Sequence, residues 1–407
     1  MTFIKLALAA TLVTVCATAQ AADPQLVAKG QYLTRAADCE ACHTTPGGKP
    51  FTGGLAFQLP FGTLYSPNIT PDPATGIGAW SDDEFVSALQ KGVGKDGKHY
   101  YPAFPYTSYT LMPREDILAI KAYLFSLAPV DQPPKDNDIG FPFNQRWGMA
   151  LWNPMFAANE RFVPDPQQSA EFNRGAYLVQ GPGHCGECHS PRTLFQAVDT
   201  GKSLAGATIG NWQAYNISSD PRYGVGGWPR DVLTRYLATG EAPGYAMAGG
   251  PMSDVVEHSL RFLTPADIQA VAVYLQGAPA RAEGITRPKA VVNDGPLAPG
   301  DGLGRKVFVD ACAGCHRLDG QGNQSPVATL SGLKTLNDPL GTNLIAVLLA
   351  GHYPATFGSQ QKMPDFAHSY SDKELAAVST FVLRRFGESD ARITPQQVAR
   401  SRSSALH

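Results

Sequence analysis

Three well-separated stretches carry apolar residues at a period near 3.6: REDILAIKAYLFSL from Arg114, PADIQAVAVYLQG from Pro265 and DKELAAVSTFVLRRFG from Asp372. Each predicts a helix with one buried face. A second helical pattern precedes each of them, in SDDEFVSALQKG, PRDVLTRYLATG and DPLGTNLIAVLLAG. Ser81 with Glu84 reads as a capping box, and Gly92 and Gly240 read as helix stops. A third pattern, a short helical lead, opens each set: KGQYLTRAADCEACH, RGAYLVQGPGHCGECH and GRKVFVDACAGCH. Gly30, Gly175 and Gly304 begin these leads, with Tyr32, Tyr177 and Val307 following as apolar positions.

The order of leading, middle and closing helix therefore recurs three times, with long loops between. The first two repeats also match in their loops. YSPNITPDPATGIGAW parallels YNISSDPRYGVGGW, which pairs Asn68 with Asn216 and Trp80 with Trp228. The fold class is all-α: three tandem, loop-rich helical domains over residues 22–128, 171–277 and 301–387. Residues 278–300 read as a plain linker. Residues 129–170 begin Pro-rich and turn aromatic, so that linker is expected to pack between domains or, second, against a partner. Residues 388–407 read as a polar tail with no assigned role.

Composition changes this picture little. The 407 residues are 43% hydrophobic and 17% charged, with 41 Gly and 33 Pro, which suits helical units rich in irregular loops. A net charge of −2 gives no reason to expect nucleic-acid binding. The N-terminus matters more. MTFIKLALAATLVTVCATAQA has one Lys, an apolar run and A-Q-A, a signal-peptide pattern with cleavage expected after Ala21. Cys16 does not make it a lipoprotein signal, because Val15 before it is not small. No later segment approaches 18 unbroken apolar residues, so an exported protein without its own membrane anchor is expected.

Cys16 leaves with the signal, and the other six cysteines form three pairs, each followed directly by His: Cys39, Cys42 and His43; Cys185, Cys188 and His189; Cys312, Cys315 and His316. A C-x-x-C-H run reads as c-type haem attachment. Two thiols three positions apart on one helical turn reach the two vinyl groups of a porphyrin. The next residue, His, then lies under the iron as its proximal ligand. A zinc site or disulfides would also use paired cysteines. Three copies with His at the same place favour three covalently bound haem c groups.

Each iron then needs a sixth ligand or goes without. Met363, in QQKMPDF, lies 47 residues after His316 and eight before Ser371, the expected N-cap. Met252, in AGGPMSDVV, lies 63 after His189, with Met247 as a nearby rival. These two are read as distal ligands. Aligning the closing helices on Ile117, Ile268 and Leu375 puts Met112 level with Leu263 and Tyr370, the staple position just before the cap. The ligand's place is then held by Phe104, which cannot bind iron. The sixth ligand of the first haem stays open between Met112 and His99, with Met149, Met155 or a vacant position as further possibilities.

With these motifs, the chain resembles the triheme cytochrome c subunits of bacterial periplasmic, membrane-associated dehydrogenases acting on gluconate, alcohol, sorbitol, fructose, aldehydes or nicotinate. The resemblance spans nearly the whole mature chain and includes YSPNITPDPATGIG, YPAFPY, GHCGECHSPR, GPMSDVVEHSL and KMPDFAHSYSDKEL. It implies class I-like cytochrome c domains. It also implies electron transfer from a catalytic partner that carries flavin, pyrroloquinoline quinone or molybdenum, with or without a further small subunit. YPAFPYTSY with EDILAIKAYLFSL looks closest to partners of molybdenum hydroxylases. The acceptor implied is ubiquinone, a cytochrome or a terminal oxidase. The location implied is the periplasm, peripheral on the inner membrane through the complex. In many members a Met replaces Phe104 and ligates the first haem, so this chain departs there. No G-x-G-x-x-G or second cofactor motif occurs, which leaves substrate oxidation to the partner. The alternative is a self-sufficient multihaem oxidoreductase, a peroxidase or a sulfur-compound oxidase, using an open first haem.

Overall fold

The computed structural model describes residues 23–289, 293, 295, 301–323, 325–351 and 363–405. The expected signal peptide at 1–21 lies outside these residues. The first unit opens with α1 (Pro24–Ala36), started by Asp23, whose Oδ1 accepts from the Gln25 amide at 2.9 Å, and by Pro24 at the first helical position. A single helical turn, α2 (Cys39–Cys42), follows. Then come α3 (Asp82–Lys91), the short α4 (Tyr106–Tyr109) and the closing helix α5 (Arg114–Ser126). The Ser81–Glu84 capping box is present in full, and Gly92 ends α3 at φ 63°, a conformation that glycine adopts without cost.

The linker carries α6 (Gly148–Phe156). The second unit holds α7 (Ala170–Gln180), α8 (Gly186–His189), α9 (Arg230–Thr239), α10 (Pro251–His258) and α11 (Pro265–Gly277). The third holds α12 (Gly302–Val307), running through a π turn at Phe308–Cys312 into α13 (Ala313–His316), then α14 (Thr342–Ala350) and α15 (Asp372–Phe386). The chain ends in α16 (Pro395–Ala405). The expected caps of the closing helices, Pro113, Thr264 and Ser371, are the observed ones.

Among the described residues, the buried side chains gather into three hydrophobic clusters. The first includes Leu33, Phe85, Ile117 and Ile120; the second Leu178, Leu233, Ile268 and Val271; the third Phe308, Ile345, Leu375 and Phe386. In each, the leading helix crosses the closing helix at a glycine. A Cβ added to Gly30 would lie 1.8 Å from the Ala119 carbonyl oxygen, one on Gly175 1.9 Å from that of Ala270, and one on Gly304 2.2 Å from that of Ala377. The glycines that open the leads are thus where two helix backbones touch, and no larger residue fits.

Two features differ from the sequence reading. The loops form short antiparallel pairs that helical periodicity does not reveal: β1 (Ala56–Leu59) with β2 (Gly62–Tyr65), joined by β3 (Asp138–Ile139); β4 (Ala207–Ile209) with β5 (Trp212–Ala214); and β6 (Glu241–Ala242) with β7 (Ala246–Met247). Loop backbone that is drawn toward a core must find hydrogen-bond partners, and these pairings supply them. The polar tail also folds. Thr394 and Gln397 cap α16 reciprocally, while Ile393 and Val398 insert into the third cluster. Arg402 fastens it further, donating to Asp372 Oδ1 at 2.9 Å.

Candidate haem attachment sites

Each C-x-x-C-H motif occupies one helical turn: α2 with His43 at its C-cap, Cys185 leading into α8, and Cys312 leading into α13. All six described cysteines are free. Burial pushes the Cys39, Cys42 and Cys185 thiols up to about 12 and that of Cys312 up to about 11. Among the described residues, no group of three or more His, Cys, Asp or Glu side chains comes together to hold a metal ion.

The three histidines share one geometry. His43 Nδ1 lies 2.7 Å from the Pro67 carbonyl oxygen, His189 Nδ1 2.6 Å from that of Tyr215, and His316 Nδ1 2.7 Å from that of Ala328. Burial lowers the basicity of each ring and keeps it neutral. A neutral imidazole bonding a carbonyl carries its proton on Nδ1, which leaves the Nε2 lone pair free for iron. The residues present therefore fit a haem with proximal histidine.

Asn68 and Asn216, paired in the sequence, hold the orienting carbonyls in place. Each directly follows the residue whose carbonyl bonds the histidine. The Asn68 amide donates to the Val130 carbonyl at 2.8 Å, and that of Asn216 to the Arg281 carbonyl at 2.7 Å; each Oδ1 accepts the backbone N–H two residues on at 2.9 Å. Both asparagines are buried.

Of the residues expected as distal ligands, Met252 sits half-buried in the first turn of α10, and Met363 half-buried against the third cluster. Met247 lies on β7. Met112 is fully enclosed in the first cluster, and its carbonyl accepts from Gln90 Nε2 at 2.9 Å. His99 turns its Nδ1 toward Asn153 Nδ2 of α6, 3.2 Å away. Phe104 packs edge-on between Tyr100 and Tyr109, each at 5.6 Å.

The observed middle helices supply a count that the closing helices obscure. They end at Gly92, Gly240 and Gly351. Phe104, Met252 and Met363 each lie 12 residues after that glycine. Counting back from the closing helix gives unequal spacings because the loops there differ in length. The glycine stops were the usable signal.

One residue that motif reading passed over is Asp38, at φ 53° directly before Cys39. Its Oδ1 is buried without a partner. Burial first, then Asp254 and Glu40, push its carboxyl up to about 8.

The cytochrome c family model matches residues 27–128 and 303–385, the stretches that hold the first and third motifs. The chain is 39% identical to the gluconate 2-dehydrogenase cytochrome c subunit of Pantoea cypripedii over 402 residues, covering 93% of this chain and 90% of that one. It is 38% identical to the cytochrome c subunit of the quinone alcohol dehydrogenase of Gluconacetobacter polyoxogenes over 384 residues, 90% of this chain and 81% of that one. It is 41% identical to a subunit of the nicotinate dehydrogenase of Pseudomonas putida over 366 residues, 89% of this chain but only 30% of that longer protein. The chain belongs to the family of dehydrogenase cytochrome c subunits, c-type cytochromes that take electrons from a dehydrogenase.

Proposed function

We propose that this chain carries three haem c groups, receives electrons from the catalytic subunit of a periplasmic dehydrogenase and delivers them to ubiquinone or another respiratory acceptor at the inner membrane. The observation that carries this reading is the threefold recurrence of a C-x-x-C-H turn whose histidine Nδ1 bonds a backbone carbonyl. Haem, when bound, supplies the one-electron iron couple. The chain's residues anchor it through thioether sulfurs, fix the tautomer of the axial histidine and enclose it among apolar side chains. Pre-steady-state mixing of reduced catalytic subunit with this cytochrome tests the reading: haem reduction should precede quinone reduction.

The exposed apolar face of the linker helix is the surface assigned here to the catalytic subunit, on its composition and exposure. On one face of α6, Tyr106 OH donates to Asn153 Oδ1 at 2.8 Å and Trp152 Nε1 donates to the Phe195 carbonyl at 2.8 Å, which seats the helix across the first two units. Trp147, Leu151 and Met155 on the other face are 67, 65 and 62% exposed. Residues 148–156 contain no Lys, Arg, Asp or Glu, and aromatic, Met-rich and charge-poor surface is what interface cores are made of. Trp147→Ser combined with Leu151→Ser should weaken capture by the catalytic subunit at least tenfold, the loss of one strong anchor. Haem content should be unchanged. Undiminished capture would remove α6 from the interface.

Met252 and Met363 are assigned as distal ligands, with Phe104 standing where the first haem would have its own. Met112→Ala should therefore cost about 2–5 kcal/mol of stability, as for any emptied core methionine, and leave the charge-transfer band of Met-ligated ferric haem untouched. Phe104→Met should enlarge that band. The spectrum of the oxidised protein decides both, and a band that shrinks in Met112→Ala would make Met112 the ligand. The phenylalanine also favours a second reading, an open first haem that turns over peroxide without a partner; robust peroxidase activity of the isolated chain would support it.

A further inference from the structure

The first two units meet through a reciprocal pair of contacts. Lys29 and Tyr32 on α1 stand to Gly30 as Arg174 and Tyr177 on α7 stand to Gly175. Asp116 and Asp267 each lie three residues past the cap of their closing helix. Each aspartate takes a cation from its own unit and a phenol from the other. Lys29 Nζ lies 2.6 Å from Asp116 Oδ1, and Tyr177 OH donates to Asp116 Oδ2 at 2.5 Å. Arg174 donates to Asp267 through Nε at 2.8 Å and Nη2 at 2.7 Å, and Tyr32 OH donates to Asp267 Oδ2. Exchanging the two units maps this network onto itself, the mark of an approximate twofold relation.

The aspartates at the centre of the network and Tyr177 are enclosed, while Lys29 and Arg174 reach the surface. Both aspartates are 9% exposed, and Tyr177 belongs to the hydrophobic cluster of the first unit. Burial and the Asp116 bond raise the Tyr177 phenol, while at Asp267 the Arg174 and Tyr32 bonds outweigh burial and hold the carboxyl below its usual range. The third unit has Leu303, Lys306 and Glu374 at the equivalent positions. Lys306 pairs at the surface with Asp310 at 2.6 Å, and Glu374 caps its own helix.

The same interface brings two attachment motifs together. The α2 turn packs against α10. Tyr109 OH of the first unit donates to the Ala37 carbonyl at 2.9 Å, and its ring lies 5.6 Å from that of His184, the residue before Cys185.

We propose that Tyr32 and Tyr177 are positioning residues whose reciprocal bonds to Asp267 and Asp116 lock the first two units into one body, holding the Cys39–His43 and Cys185–His189 motifs at a fixed separation and angle. The inference rests on the haem reading above. Electron exchange between two centres depends steeply on their separation, so a rigid mount sets its rate. A hydrogen bond to a charged group in an enclosed site is strong enough that losing one hydroxyl shifts an opening equilibrium on the order of tenfold.

The test uses the full-length, haem-loaded protein with Tyr32→Phe, Tyr177→Phe, the double variant and Lys306→Ala as control. Haem content is measured first; a wild-type protein that lacks haem on either motif refutes the haem reading itself, separately from the lock. The readouts are the Soret circular-dichroism couplet, which reports the mutual orientation of neighbouring haems, and amide hydrogen exchange over residues 24–36 and 170–180. Each single variant should keep full haem and helix content, speed exchange about tenfold and reduce the couplet, with the double variant losing more than either. Lys306→Ala should change neither. A couplet unchanged in the double variant overturns the proposal, even if exchange quickens, because the tyrosines would then stabilise without positioning. A fully loaded wild-type protein with no couplet overturns it as well.

Discussion

Replacing Cys312 and Cys315 with alanine should yield a protein with one covalently attached haem fewer than the wild type, two where we propose three. Intact mass after haem maturation is the measurement, and the loss should be one haem mass. The argument is local. The third motif pairs Cys312 at the end of the π turn with Cys315 on α13, and no other described cysteine lies in the third unit to take its place. The variant should also melt in two steps. The third cluster is built from Phe308, Phe386 and the tail residues Ile393 and Val398 around the site, and without its haem that unit loses apolar surface on which its packing depends. The first two units share the reciprocal Tyr–Asp network and should keep their transition. An unchanged mass would mean that the third motif does not bind haem.

The second large effect is expected at the helix crossings. Gly175→Ala places a methyl 1.9 Å from the Ala270 carbonyl oxygen and 2.9 Å from Tyr274 Cβ. Both neighbours belong to a helix, so neither can swing aside as a flexible side-chain tip would. The two helices must part, and overpacking of that kind costs on the order of 3 kcal/mol. Gly148→Ala is the control: nothing stands within 4 Å of an added Cβ there, and alanine favours a helix over glycine by about 1 kcal/mol. Chemical denaturation of the haem-loaded variants should show Gly175→Ala clearly destabilised and Gly148→Ala neutral or improved. If both behave as wild type, the crossing has room for a methyl and the close-contact argument fails.

Much of this arrangement was legible in the chain. The caps at Ser81, Thr264 and Ser371 and the stops at Gly92 and Gly240 are local chemistry, fixed within one helical turn. So are the attachment turns. The leading glycines were visible as a repeat, but their reason was not, because a backbone-to-backbone contact leaves no periodic trace. The Thr394–Gln397 box at the tail was readable and lay under a polar composition. The Tyr32–Asp267 and Tyr177–Asp116 pairs were not readable at all. They span 235 and 61 residues, and only the docking of two units makes partners of them.

The asparagines that steady the histidine-bonding carbonyls have a mechanical consequence. Asn68 grips the chain at Val130 and Asn216 grips it at Arg281, just where each of the first two units hands over to its linker. A pull along either linker therefore arrives at the loop whose carbonyl bonds the motif histidine. In the third unit the corresponding side chain, Thr329, donates to the nearby Gln321 carbonyl at 2.9 Å. Tension between units is coupled to the first two motifs by these asparagines together with Thr70, which accepts from the Val130 N–H, and Ser218, which accepts from the Arg281 N–H.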